Sequence, residues 1–122
     1  MTASNTVVLV DDNEQILTTT SAYLEARGLN VVSSRSALGV SALVMRHRPS
    51  VIVLDVMMPA LDGQALAGLL RGKADVKGTH IIFYSAMEEE LLDRIVRETP
   101  SASYVPKTDG LPALYSAIQA RL

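Results

Sequence analysis

Apolar residues gather into five short runs bounded by turn residues: Thr6 to Val10, Leu29 to Ser33, Val51 to Leu54, Thr79 to Tyr84 and Ala102 to Val105. Each is four to six residues long and rich in Val or Ile, which predicts five β-strands. The third and fourth are apolar at nearly every position, as central strands of a parallel sheet covered on both faces must be.

Helical periodicity fills the gaps. A helix over about Asn13 to Arg27 puts Ile16, Leu17, Thr20 and Leu24 on one face and stops at Gly28, the residue type suited to a left-handed C′ position, although Thr18 to Ser21 is poor helix material. A second, over about Ser36 to His47, turns Leu38, Ala42, Val44 and Met45 inward, and Pro49 ends it. A third, over about Gln64 to Leu70, carries Leu66, Leu69 and Leu70. A fourth, over about Met87 to Glu98, buries Leu91, Leu92, Ile95 and Val96, with Glu90–Arg94 and Asp93–Arg97 as outward i,i+4 pairs. A fifth begins near Pro112 and uses Leu114, Tyr115, Ile118 and Leu122. Strict β-α alternation predicts an α/β fold, a doubly wound five-stranded parallel sheet with five helices on its two faces. The whole chain, 1–122, is expected to be one domain.

Composition narrows the chemistry. There is no Cys, which excludes thiolate catalysis, a zinc ribbon and a disulfide framework. The net charge is −2, with five aromatics and three Lys, so no direct nucleic-acid surface is expected. The N-terminal run turns acidic after four residues, unlike a signal peptide or membrane anchor, and a cytoplasmic location is the expectation.

Ligands of open α/β sheets bind at the carboxyl ends of the strands. Asp11 and Asp12 follow the first strand, Asp55 ends the third, Ser85 follows the fourth, and Lys107 lies just past the fifth. Three carboxylates meeting there need a compensating cation, and an all-oxygen donor set points to Mg²⁺, or Mn²⁺, over zinc. The histidines do not contribute: His80 opens the fourth strand, five residues of ~3.3 Å each from Ser85, or about 16 Å away. Carboxylate, hard cation, Lys and hydroxyl together suit phosphoryl transfer to an aspartyl nucleophile.

Singly, these residues have plainer roles. Asp12 or Asn13 can cap the first helix. Ser85-Ala86-Met87-Glu88 has the pattern of a capping box. Lys107 could be a solvated loop lysine and Tyr104 a half-buried strand aromatic. Asp55 is hardest to explain away, because an acid closing an apolar central strand gains nothing from burial.

The segments VVLVDDNE at 7–14, VIVLDVMMPALDG at 51–63, IIFYSAM at 81–87 and YVPK at 104–107 resemble, in order and over essentially the whole chain, the receiver domain of bacterial two-component response regulators. The resemblance implies a flavodoxin-like sheet of order 2-1-3-4-5. It implies that Asp55 accepts a phosphoryl group from a histidine kinase or histidine phosphotransfer protein. Asp11, Asp12, Asp55 and the main-chain carbonyl of Met57 would hold Mg²⁺, Lys107 and Ser85 would contact phosphoryl oxygens, and Tyr104 would swing inward as Ser85 moves. Pro59 and Gly63 match the shape of the loop after the acceptor. The readout surface would be the fourth helix, fifth strand and fifth helix, acting on a downstream protein target or a missing output domain. Such a chain catalyses only its own phosphorylation and slow dephosphorylation and is otherwise no enzyme.

Two features depart from the family pattern. Thr108 follows Lys107 where Pro is usual, so the Lys107–Thr108 bond is either a strained cis peptide or takes a trans path. Met57 and Met87 flank the site, and thioethers orient water poorly, which predicts slow loss of phosphate. Two other functions stay open: a Mg²⁺-dependent aspartyl-nucleophile phosphohydrolase, and a pseudo-receiver that binds partners without phosphorylation.

Overall fold

The computed structural model describes residues 5–36, 39–56, 79–99 and 101–122. The elements run β1 (Thr6–Val10), α1 (Glu14–Glu25), β2 (Asn30–Ser34), α2 (Val40–His47), β3 (Val51–Leu54), β4 (His80–Ser85), α3 (Glu89–Arg97), β5 (Ala102–Pro106) and α4 (Gly110–Gln119). The five strands form one parallel sheet of order β2-β1-β3-β4-β5, the flavodoxin-like arrangement. The helix expected over 64–70, with Leu66, Leu69 and Leu70, and the positions Leu38, Met57, Pro59 and Gly63 lie outside the described residues.

Alternation along the strands splits the core in two. Val7, Leu9, Val51, Val53, Ile82, Tyr84 and Val105 meet α1 and α4 through Leu17, Leu24, Leu114 and Ile118. Val8, Val10, Ile52, Leu54, Ile81 and Phe83 meet α2 and α3 through Val40, Val44 and Leu92. β3 is buried at all four positions, as its unbroken apolar run requires.

Helix α1 runs unbroken through Thr18–Ser21 despite their low propensity. Thr18 donates its hydroxyl to the Glu14 carbonyl at 3.0 Å, and Thr20 is buried against the sheet. The helix ends in a turn closed by Gly28 at φ +88°, a backbone conformation open to glycine at little cost. Just before it, the Arg27 guanidinium stacks 3.5 Å from the Tyr23 ring centroid and 5.8 Å from that of Tyr115, joining the end of α1 to α4.

Several expected details are corrected. α2 begins at Val40, not near Ser36, because Ser34 Oγ accepts from the Ser36 amide and donates to the Ser36 carbonyl, holding that segment in a local turn. In this register Val40 and Val44 face the sheet, while Ala42 and Met45 turn outward, Met45 to 60% exposure. In α3 the inward row is Leu92, Ile95 and Val96, which leaves Leu91 exposed. Leu122 continues the spacing of Leu114 and Ile118 but lies past the end of α4 at Gln119, and is exposed. Glu90, Arg94, Asp93 and Arg97 are outward as expected, but none joins the ion pairs of the described residues. α3 carries no capping box: Glu88 is its N-cap and makes no side-chain cap bond.

Candidate functional site

Strand register assembles the site. Val10 pairs with Leu54, Leu54 with Phe83, and Tyr84 with Val105, so Asp11, Asp55, Tyr84 and Val105 fall in one row at the carboxyl end of the sheet. Each continues the alternation that faces α1 and α4, after Leu9 in β1, Val53 in β3 and Ile82 in β4. Lys107, two residues beyond Val105, returns to the same face.

The Lys107 ammonium donates to Asp55 Oδ2 at 2.8 Å and to Asp11 Oδ2 at 2.9 Å. The two carboxylate side chains are 9% and 4% exposed, and two anions brought together with so little water between them repel each other. One cation between them offsets that repulsion and leaves a local charge of about −1. Burial pulls the Lys107 pKa down, but hydrogen bonds and charge from Asp55 and Asp11 outweigh it and hold the ammonium above its usual range.

Two further bonds orient Asp11. Its Oδ1 accepts from the Asn13 amide at 2.9 Å, and its own amide donates to the Ser34 carbonyl at 3.2 Å. Asn13 is the N-cap of α1, its Oδ1 accepting from the Ile16 amide at 3.1 Å. Asp12 is left exposed beside the pair. Of the two candidate caps Asn13 takes the role, so Asp12 is not spent on capping.

Ser85 ends β4 on the opposite face from Tyr84 and is fully buried, its Oγ accepting from the Met87 amide at 3.1 Å. This tight turn is what stands in place of the expected capping box. Tyr104 packs its ring against the cluster around Phe83, and the Asp93 carboxylate beside its hydroxyl holds the phenol above its usual range. No cis peptide occurs among the described residues, so Lys107–Thr108 takes the trans path. Lys107 opens a single 3₁₀ turn, Lys107–Asp109, and still reaches both carboxylates.

Of the residues singled out in the sequence, Asp11, Asp55 and Lys107 are therefore in direct contact. Asp12 follows Asp11 in the chain, and Ser85 and Tyr104 lie on the other face of the sheet. The donor set is oxygen only, which suits a hard divalent cation. Among the described residues, however, no group of three acidic, His or Cys side chains is gathered as a metal cluster, and Lys107 supplies the countercharge between Asp11 and Asp55. Tyr84 was not expected at the site. It was legible as the residue on the Asp11–Asp55 face in the row before Ser85, but only once the strand register is known.

A cavity of about 290 Å³ opens beside Lys107, between α1 and the start of α4, lined in part by Asn13, Ile16, Thr20, Tyr84 and Leu111. Among the described residues no helix is long and apolar enough to cross a membrane.

The fold has clear counterparts. The response regulator receiver domain profile matches residues 7–119. The chain is 28% identical over 117 residues to protein PilG of Pseudomonas aeruginosa, covering 95% of this chain and 86% of that protein. It is 23% identical over 119 residues to the polar-differentiation response regulator DivK of Brucella ovis, covering 98% and 97%. Among solved structures, the chemotaxis response regulator CheY4 of Vibrio cholerae superposes with a TM-score of 0.83 at 22% identity, covering 99% of this chain and all of that one, a likeness of fold. With its profile matched from Val7 to Gln119, the chain belongs to the receiver domain family of two-component response regulators.

Proposed function

We propose that the chain, acting as a single domain, is a phosphorylation-dependent switch whose acceptor is Asp55. The observation that carries this reading is the Lys107 ammonium held by Asp55 and Asp11 at the carboxyl edge of the sheet. A buried carboxylate without chemistry to do would be an energetic liability there.

An Asp55 carboxylate oxygen attacks phosphorus of a phosphohistidine on a histidine kinase or phosphotransfer protein. The P–N bond breaks as the P–O bond forms, and the phosphohistidine ring, protonated on its second nitrogen, leaves as neutral imidazole. Charge spreads over the equatorial oxygens in the transition state, and Lys107 is poised to meet it. Asp11, Asp12, Asp55 and the Met57 main-chain carbonyl would hold Mg²⁺, which when bound supplies further positive charge to those oxygens.

The product is a dianionic group with three acceptor oxygens. Lys107 pairs with it, and the Ser85 hydroxyl, turned from the Met87 amide, donates to it. Ser85 sits beneath the face on which Tyr104 packs, so its movement makes room for the Tyr104 ring to turn inward. The surface of α3, β5 and α4 changes, which biases a pre-existing equilibrium toward the form that a downstream protein or an output domain recognises. The protein works in the cytoplasm without direct nucleic-acid contact. Apart from its own phosphorylation and dephosphorylation it is not an enzyme.

The test is incubation with a small acyl phosphate and Mg²⁺ followed by intact mass. Wild type gains one phosphoryl group, and Asp55→Asn gains none. An unlabelled wild type refutes the reading, and catalytic turnover of phosphate esters would replace it with a hydrolase.

A further inference from the structure

Lys107 stands at the end of β5, Asp55 at the end of β3 and Asp11 at the end of β1, and β4 lies between the first two. Neighbouring strands are about 4.8 Å apart, so the lysine must cross roughly 10 Å, over β4, to reach Asp55. The side chain that β4 turns to that face in the same row is Tyr84.

Tyr84 is 7% exposed and packs with Val105, Leu114 and the sheet. Its ring centroid lies 5.9 Å from Lys107 Nζ, near the outer limit of a cation–π contact, so the ring acts by filling space as much as by its quadrupole. Beside both opens the 290 Å³ cavity, room into which a flexible lysine stem could withdraw.

We propose that Tyr84 is a positioning residue: its ring supports Lys107 where the chain crosses β4 and keeps the ammonium on Asp55 and Asp11 instead of in the neighbouring cavity. The inference rests on the phosphoryl-acceptor reading for its consequence, though not for the contact itself. It assigns a task to an aromatic that a purely packing role would not require, since Leu or Ile fills a sheet face equally well.

The test pairs two measurements on Tyr84→Met, Tyr84→Leu and Tyr84→Phe, each verified as folded by circular dichroism and a cooperative urea transition. Trace acetic anhydride followed by peptide mass spectrometry reads the reactivity of Lys107, with Lys73 and Lys77 as internal references. An acyl phosphate with Mg²⁺ reads the rate of phosphorylation. In Tyr84→Met and Tyr84→Leu the relative acetylation of Lys107 rises on the order of fivefold and phosphorylation slows by a similar factor, while Tyr84→Phe, which keeps the ring, returns both to wild-type values. Unchanged Lys107 reactivity in the folded Met and Leu variants overturns the proposal. A wild type that takes up no phosphate refutes the acceptor reading alone, because Lys107 reactivity still decides the Tyr84 contact.

Discussion

Lys107 Nζ lies 2.8 Å from Asp55 Oδ2, although 52 residues separate the two in the chain. The contact ties the end of β5 to the end of β3, and the shared bond to Asp11 extends it to β1.

Removing the cation should therefore cost stability as well as function. Lys107→Met leaves two buried carboxylates facing each other, and we expect a loss of about 1–3 kcal/mol in urea unfolding at neutral pH. The Lys107 pKa is raised above its ordinary 10.5, so its contribution is complete below that value and is lost as pH rises through the folded pKa. A wild-type protein no more stable than Lys107→Met at neutral pH would contradict this.

Ser85 offers a way to separate acceptance from readout. Ser85→Ala leaves the Met87 amide without its partner, for a loss of about 1 kcal/mol, yet leaves Asp55 and Lys107 intact. Intact mass should still show one added phosphoryl group. Fluorotyrosine-labelled protein, observed by ¹⁹F NMR, should lose the phosphorylation-dependent shift of Tyr104. A Tyr104 shift as large as in wild type would remove Ser85 from the switch.

On the proposed function, the thioethers at positions 57 and 87 should lengthen the life of the phosphorylated state. Met87 is half-buried beside Ser85, and Met57 follows the acceptor by two residues. Neither orients a water, so Met57→Asn with Met87→Glu should speed phosphate loss severalfold, followed as decay of the phosphorylated mass. Equal decay in the two proteins would refute the prediction.

At the far end of the sheet, His80 Nε2 and Ser103 Oγ are 2.8 Å apart. Burial, and then the charge of Arg121, holds the imidazole below its ordinary 6.5. The unfolded chain thus binds a proton that the folded chain resists, so this stability is complete above 6.5 and is lost as pH falls through the folded pKa. The urea midpoint should drop between about pH 8 and pH 5, and less so in His80→Gln. An identical pH dependence in both would exclude His80 as the source.

Much of this was legible in the chain. The runs at Thr6–Val10 and Val51–Leu54 match their strands to the residue, and the others shift by one position at an end or two, because an uninterrupted apolar run leaves no choice but burial on both faces. Asp55 could be picked out because an acid closing such a run gains nothing from burial, and Asp11 and Lys107 because they follow strand ends at the same edge of the sheet. The helices were less well determined. Met45 and Leu91 are apolar at nearly inward positions, where a small turn of the helix about its axis decides burial, and Leu122 is exposed because α4 ends at Gln119.

Sequence alone determined the five strands and the four helices of the described residues, the strand ends and hence the candidate residues, since these follow from local periodicity and from the cost of burying charge. Tertiary structure decided the rest: that Asn13 caps α1 and leaves Asp12 exposed, that Ser85 holds the Met87 amide in a turn, that Lys107 serves two carboxylates from a trans backbone, and that Tyr84 lies under its path. Those relationships join strands far apart in the chain, and the register between such strands is set by packing across the sheet, which no local pattern encodes.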